Sequence, residues 1–72
     1  MIVDVKSEVT GSVWKVLKAP GDLVEAGEPI AIVESMKMEI PVCSEEAGVM
    51  REILMEEEEA VTEGQVVARL QK

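Results

Sequence analysis

Apolar and polar residues follow one another in short, closely spaced runs along this chain, and the spacing predicts strands. Extended segments are expected at Ile2–Val5, Ser12–Lys18, Pro29–Ser35, Glu39–Ser44, Val49–Met55 and Val66–Leu70. Short extended pieces near Val24 and Val61 complete the set. Turn signals punctuate the runs: Thr10-Gly11, Pro20-Gly21-Asp22, Ala26-Gly27, Ala47-Gly48 and Glu63-Gly64. No segment holds an apolar stripe at helical period over three turns. The expected fold is all-β.

The sequence also overlays on itself. Moved by 37 positions, Gly11 meets Gly48, Val13 meets Met50, and Val16-Leu17 meet Ile53-Leu54. Val24 then meets Val61, Gly27 meets Gly64, Ile30 meets Val67, Ala31 meets Ala68 and Val33 meets Leu70. Glycines mark backbone positions that other residues do not readily take, so their coincidence carries weight. Two copies of one pattern, neither able to bury its apolar face alone, imply two similar β-layers packed face to face about an approximate two-fold axis. The expectation is a flattened sandwich or barrel of two four-stranded antiparallel sheets, formed as a single domain over residues 1–72.

Composition narrows what such a fold can do. The formal charge of −8 argues against nucleic acid or an anionic membrane as partner, since both need a basic face. One cysteine and no histidine leave no intrachain disulfide and no zinc site. The start MIVDVKSEV has no signal-peptide pattern, and no apolar run has transmembrane length. A cytoplasmic location is expected. No nucleophile–base pair and no phosphate-binding loop stand out, so no catalytic residue is assigned.

The segment joining the two halves is ESMKMEIP, residues 34–41. It reads as a hairpin whose tip is Lys37, yet it has no Asn-Gly or Asp-Gly at the turn. Residues with a Cβ are disfavoured at positive φ, so a tight turn built from Met and Lys carries a cost. An ordinary exposed lysine that blunts a sheet edge is the plain alternative. The symmetrical frame, with Glu34 and Glu39 bracketing Met36-Lys37-Met38, argues for a role at the tip.

With these residues in view, the chain resembles the biotinyl domain of biotin-dependent carboxylases, sister to the lipoyl domain of 2-oxo acid dehydrogenase complexes. The family motif Glu-Ala-Met-Lys-Met stands here as Glu34-Ser35-Met36-Lys37-Met38, and Gly-Asp-x-Val as Gly21-Asp22-Leu23-Val24, followed by Gly27. The resemblance covers essentially the whole chain. It implies that a biotin protein ligase joins biotin covalently to Lys37, with Met36 and Met38 as recognition residues and Glu34 and Ser35 completing the motif. Biotin would then take a carboxyl group from a biotin carboxylase to a carboxyltransferase. The carrier itself would be monomeric and not an enzyme. A lipoyl or dual carrier of the same fold is the alternative, although lipoyl domains typically show Asp-Lys-Ala at the tip. A small β interaction module with an unmodified lysine is a second alternative. The Met start and the lack of an Ala/Pro-rich linker favour a free-standing carrier over an excised domain.

The chain departs from the family pattern in four places. Ser35 replaces alanine. Glu8-Val9-Thr10-Gly11 replaces a Pro-Met-containing turn. Glu58-Glu59 stands where the second Gly-Asp is expected, so Glu58 would bear any left-handed conformation required there. Between Lys18 and Pro29 there is no room for the thumb that some acetyl-CoA carboxylase carriers insert. The acidic run Glu56–Glu59 reads as a solvated turn, Cys43 as a small buried core residue, and Trp14 as packed against the sandwich.

Overall fold

The computed structural model describes residues 1–72. Eight strands run in the order β1 (Ile2–Lys6), β2 (Gly11–Val16), β3 (Leu23–Val24), β4 (Pro29–Ser35), β5 (Met38–Cys43), β6 (Gly48–Ile53), β7 (Ala60–Val61) and β8 (Val66–Gln71). They form two antiparallel four-stranded sheets, β1-β8-β6-β3 and β5-β4-β2-β7. There is no helix.

The 37-residue repeat is realised residue by residue. Val13 pairs with Val33 and Met50 with Leu70; Val3 pairs with Leu70 and Ile40 with Val33. Even the irregularities repeat, with a register shift between Val13 and Lys15 and another between Met50 and Glu52. One extra residue thus bulges in each half, Trp14 in β2 and Arg51 in β6.

The core follows the same rule. Thirteen buried apolar residues form one cluster. Twelve of them are six pairs 37 apart: Val5 with Val42, Val13 with Met50, Val24 with Val61, Ile30 with Val67, Ala31 with Ala68, and Val33 with Leu70. Only Met55 lacks a buried mate, because its counterpart is Lys18. Val, Ile and Leu supply compact β-branched or branched side chains that fill a thin space between sheets without aromatic bulk. Two buried polar residues, Ser7 and Ser44, are also 37 apart, and each donates its hydroxyl two residues ahead, to the carbonyls of Val9 and Glu46. The peptide N–H of Gly64 reaches the carbonyl of Ser7, and that of Gly27 reaches Ser44, so each half is tied to the other.

Three expectations are corrected. Cys43 is exposed, not buried: Val42 faces the core, and alternation turns its neighbour outward. Trp14 is 49% exposed, lying at the β2 bulge with the Lys15 ammonium 5.8 Å from its ring centroid. Strands β2 and β6 end at Val16 and Ile53, short of Lys18 and Met55. Beyond β2, residues 17–22 turn into β3 and residues 25–28 into β4, which leaves no thumb.

Candidate functional site

The site is built on the β4–β5 hairpin. Ser35 pairs with Met38, so Met36 and Lys37 alone make the turn. Both take left-handed backbones, with φ of 51° at Met36 and 65° at Lys37. Positive φ at both central positions is the pattern of a type I′ turn, whose twist matches that of the flanking strands. Asn-Gly would adopt it with less strain, and a non-glycine residue in this region costs about 1–2 kcal/mol. The sequence accepts that cost at two successive positions.

The surroundings hold the tip firmly. The Ser35 hydroxyl donates to the Thr10 carbonyl at 2.9 Å, and the Glu63 N–H donates to Thr10 Oγ1 at 2.9 Å. The turns before β2 and after β7 are thereby clamped beneath the hairpin. Gly11 lies close enough that a Cβ there would collide with the main-chain oxygen of Glu34, so β2 packs tightly at the base of the tip. Thr10, Gly11 and Glu63 were not foreseen as parts of the site. The alignment of Gly11 with Gly48 was the available signal, since a Cβ at Gly48 would lie 2.8 Å from the Gln71 carbonyl oxygen.

At the tip the side chains face water. Met36 is 92% exposed and Met38 is 64% exposed. Lys37 is exposed as well. No carboxylate lies within ion-pair distance of it, although the chain forms such pairs at Lys18, Arg69 and Lys72. Glu34 and Glu39 stand directly opposite each other one pair below Ser35 and Met38. Like charges so placed are mildly destabilising, and they surround a cation that neither engages. The sequence-assigned residues Glu34, Ser35, Met36, Lys37 and Met38 are therefore together on one hairpin end.

The chain ends lie at the other end of the molecule. Strand β4 runs away from Pro29, which pairs with Cys43 at the base of the hairpin. Beside that base, the Lys72 ammonium meets the Glu46 carboxylate at 2.8 Å, and the Lys72 N–H donates to the Met1 carbonyl at 2.9 Å. No group of acidic, cysteine or histidine side chains is arranged to hold a metal ion. No helix is long and apolar enough to cross a membrane.

Comparison with known proteins agrees with this geometry. Residues 1–70 match the biotin–lipoyl family, described as "Biotin-requiring enzyme", and the chain belongs to that family. It is similar to the biotin/lipoyl attachment protein of Bacillus subtilis, with 41% identity over 66 residues that make up 92% of this chain and 90% of that protein. It is also similar to the biotinylated protein TB7.3 homolog of Mycobacterium leprae, with 34% identity over 94% of this chain and 96% of that protein. Among solved structures, the urea carboxylase of Kluyveromyces lactis contains a region that superposes with a TM-score of 0.92 at 37% identity. That match covers 99% of this chain and 6% of the carboxylase. The chain is thus a biotin/lipoyl attachment domain, a carrier and not a catalytic unit.

Proposed function

We propose that Lys37 carries biotin in amide linkage and that the chain, as a single domain over residues 1–72, is a biotin carboxyl carrier. The observation that carries this reading is the turn itself. A lysine without an ion-pair partner is held at positive φ between two exposed methionines, where glycine or asparagine would be easier. Strain kept at two successive exposed positions of one hairpin is characteristic of a site under functional constraint.

The residues fit the group. Lys37 offers an unbranched stem and a terminal amine that no neighbouring carboxylate occupies. Joining it to an activated biotin carboxyl forms one C–N bond. The bond from the acyl carbon to its phosphate leaving group breaks, and the ammonium gives up two protons. The modifying enzyme would be a biotin protein ligase. Bound biotin supplies the chemistry of holding and releasing a carboxyl group. The protein contributes position: the clamp through Ser35 and Thr10 fixes where the arm starts, and the exposed turn lets it swing. A biotin carboxylase and a carboxyltransferase are the enzymes such an arm would serve, and tethering raises its effective concentration at both. Met36 and Met38 present soft, adaptable surface to more than one partner. The similarity to a region of a urea carboxylase supports a carboxylase setting.

Lipoyl attachment is the second reading, favoured by the Bacillus subtilis relative, whose name covers both groups. Co-expression with a biotin protein ligase and, separately, with a lipoyl ligase tests the two. Intact mass should rise by one biotinyl unit with the first enzyme, on Lys37 alone, and Lys37→Arg should abolish it. A lipoyl adduct without a biotinyl adduct would replace the first reading by the second.

A further inference from the structure

The two halves agree inside the sandwich and disagree outside it. On the outer face of the β1-β8-β6-β3 sheet, Arg69 sits between two carboxylates, 3.1 Å from Asp4 and 3.3 Å from Glu52. Arg51 donates to Gln71 Oε1 at 3.1 Å on the same sheet. The middle of that face is thus a polar ladder, with Ile2, Val49 and Leu23 exposed only in the row beside the chain ends. Thirty-seven residues away, the equivalents on the tip-bearing sheet are Pro41 for Asp4, Ile32 for Arg69 and Trp14 for Arg51. Ile32 lies between Ala31 and Val33, both fully buried, so alternation sends its side chain outward, where it pairs with Pro41 on β5 and Lys15 on β2. Trp14 lies at the bulge, half exposed, and lines a groove with Ser12, Glu34, Glu57 and Glu58.

The apolar residues nearest Lys37 are thus on the sheet that bears it, whereas the exposed apolar residues of the other sheet, Ile2, Val49 and Leu23, lie in one row across Gln71, beside the chain ends. Ile32 and Glu34 follow at alternate positions along β4, a step of about 6–7 Å towards the tip, and the turn residues Met36 and Lys37 begin two residues beyond Glu34. Folding does not need Trp14, Ile32 and Pro41, since the equivalent positions of the other sheet are charged and the backbone register there is the same.

We propose that this strip, centred on Trp14, Ile32 and Pro41, is the docking face for the enzyme that acylates Lys37; the proposal rests on the biotin reading of that lysine. An unmodified lysine reaches only about 6 Å from its Cα. The acylating active site must come that close to the turn, so its rim has to rest on the hairpin. Later partners meet a longer arm and are not held to the same approach. Charge picks out the same partner. An enzyme that activates a carboxyl group as an acyl phosphate binds phosphate with Lys, Arg or backbone N–H groups, and its active-site surround is electropositive. Glu34, Glu39, Glu57 and Glu58 complement that surround around the apolar strip. A second copy of this chain is a poor occupant. A two-fold dimer through this face would set the same carboxylates against each other on two chains of charge −8.

The test gives the tip-bearing sheet the outer face of its twin. Trp14→Arg with Ile32→Arg copies Arg51 and Arg69, and steady-state biotinylation by a biotin protein ligase is measured at 50 and 500 mM salt. The double variant should lower kcat/KM at least tenfold, with the loss carried by KM. Arg51→Ala, on the opposite face, should stay within twofold of wild type. Wild-type KM should rise with salt, because the rim is charged. Trp14 is the chain's one tryptophan, which permits a check without substitution. Fluorotryptophan-labelled carrier should show a shifted or broadened ¹⁹F resonance when the ligase is added to saturation. A folded double variant with unchanged KM, or an unmoved ¹⁹F signal, overturns the docking face while leaving biotin on Lys37. A wild-type dimer that the double variant dissolves also overturns it, since the face would then belong to a second copy. A wild-type chain that accepts no biotin brings down the carrier reading, and the docking proposal falls with it.

Discussion

Glu58 stands 37 residues after Gly21 and makes the same left-handed turn, with φ of 73° against 97° at the glycine. The two backbones perform one task. The N–H of Gly21 donates to the Met50 carbonyl and the N–H of Glu58 donates to the Val13 carbonyl, both at 2.7 Å. These bonds tie each half to the bulged strand of the other, so neither turn can relax to negative φ without breaking one.

Replacing Glu58 by glycine should therefore stabilise the fold. The left-handed penalty of about 1–2 kcal/mol is removed, partly offset by the greater freedom of glycine in the unfolded chain. A net gain of about 0.5–1 kcal/mol is expected from urea unfolding, with an unchanged slope. Gly21→Ala should move the other way by a similar amount. A loss of stability in Glu58→Gly would show that its side chain makes a contribution larger than the strain.

The Gly21–Glu58 pair also shows what the sequence made legible. The 37-residue repeat predicts the paired layers and five of the six core pairs, all but Val5 with Val42, and the missing second Gly-Asp marks Glu58 as the residue to bear any left-handed conformation required there. Parity went unread. Cys43 was assigned to the core for its chemistry, whereas its repeat mate is Lys6, an outward residue, and the mate of Val42 is the buried Val5. Trp14 reads as packed against the sandwich because it lies in a strand, yet its mate is the exposed Arg51. The clamp through Thr10, Ser35 and Glu63 was not legible, because it joins three turns that only the closed sandwich brings together.

The strain at the tip can be separated from its use. Met36→Asn with Lys37→Gly installs the preferred type I′ pair. Stability should rise by about 1–2 kcal/mol, since residues that tolerate the left-handed region replace two that do not. Biotinylation should vanish with the lysine. Met36→Ala and Met38→Ala, at exposed positions, should each change stability by no more than about 0.5 kcal/mol. A cost of about 2–5 kcal/mol would instead mark them as packed residues. Urea melts of the three variants, with intact mass after ligase treatment, decide between the two outcomes.

One carboxylate gives the fold a pH signature. The Glu28 carboxyl titrates below its ordinary value of 4.5, first through the bond it accepts from the Glu25 N–H and then through the Lys18 side chain. A depressed folded value means that its contribution is present above the unfolded value and is lost as pH falls through the folded one. In the other half Gln65 occupies the same place and accepts from the Thr62 N–H at 3.0 Å, without a charge. Glu28→Gln should thus keep the turn and lose the Lys18 pair. The variant should melt slightly below wild type at neutral pH, with the gap closing as pH drops below the ordinary carboxylate value. A gap that widens in acid would contradict the assignment.

The final prediction uses the two-fold at the chain ends. Ser35 and Met38 close the tip hairpin across two residues, and their equivalents under the 37-residue shift are Lys72 and Met1. Those two are already joined as a strand end would be: the Lys72 N–H donates to the Met1 carbonyl at 2.9 Å, and the Met1 ammonium lies 3.3 Å from the Lys72 carbonyl. An Asn-Gly link from Lys72 to Met1 should make a second hairpin there without strain, at the end away from Lys37. Closing the ring removes unfolded-state entropy and leaves the folded contacts alone, so stability should rise by up to about 4 kcal/mol. The unfolded ring is also more compact, so the dependence on urea should become shallower. Biotinylation of Lys37 should proceed at the linear rate. Equal stability of the ring and the same chain nicked at the link would show that the ends do not meet in the geometry of the tip.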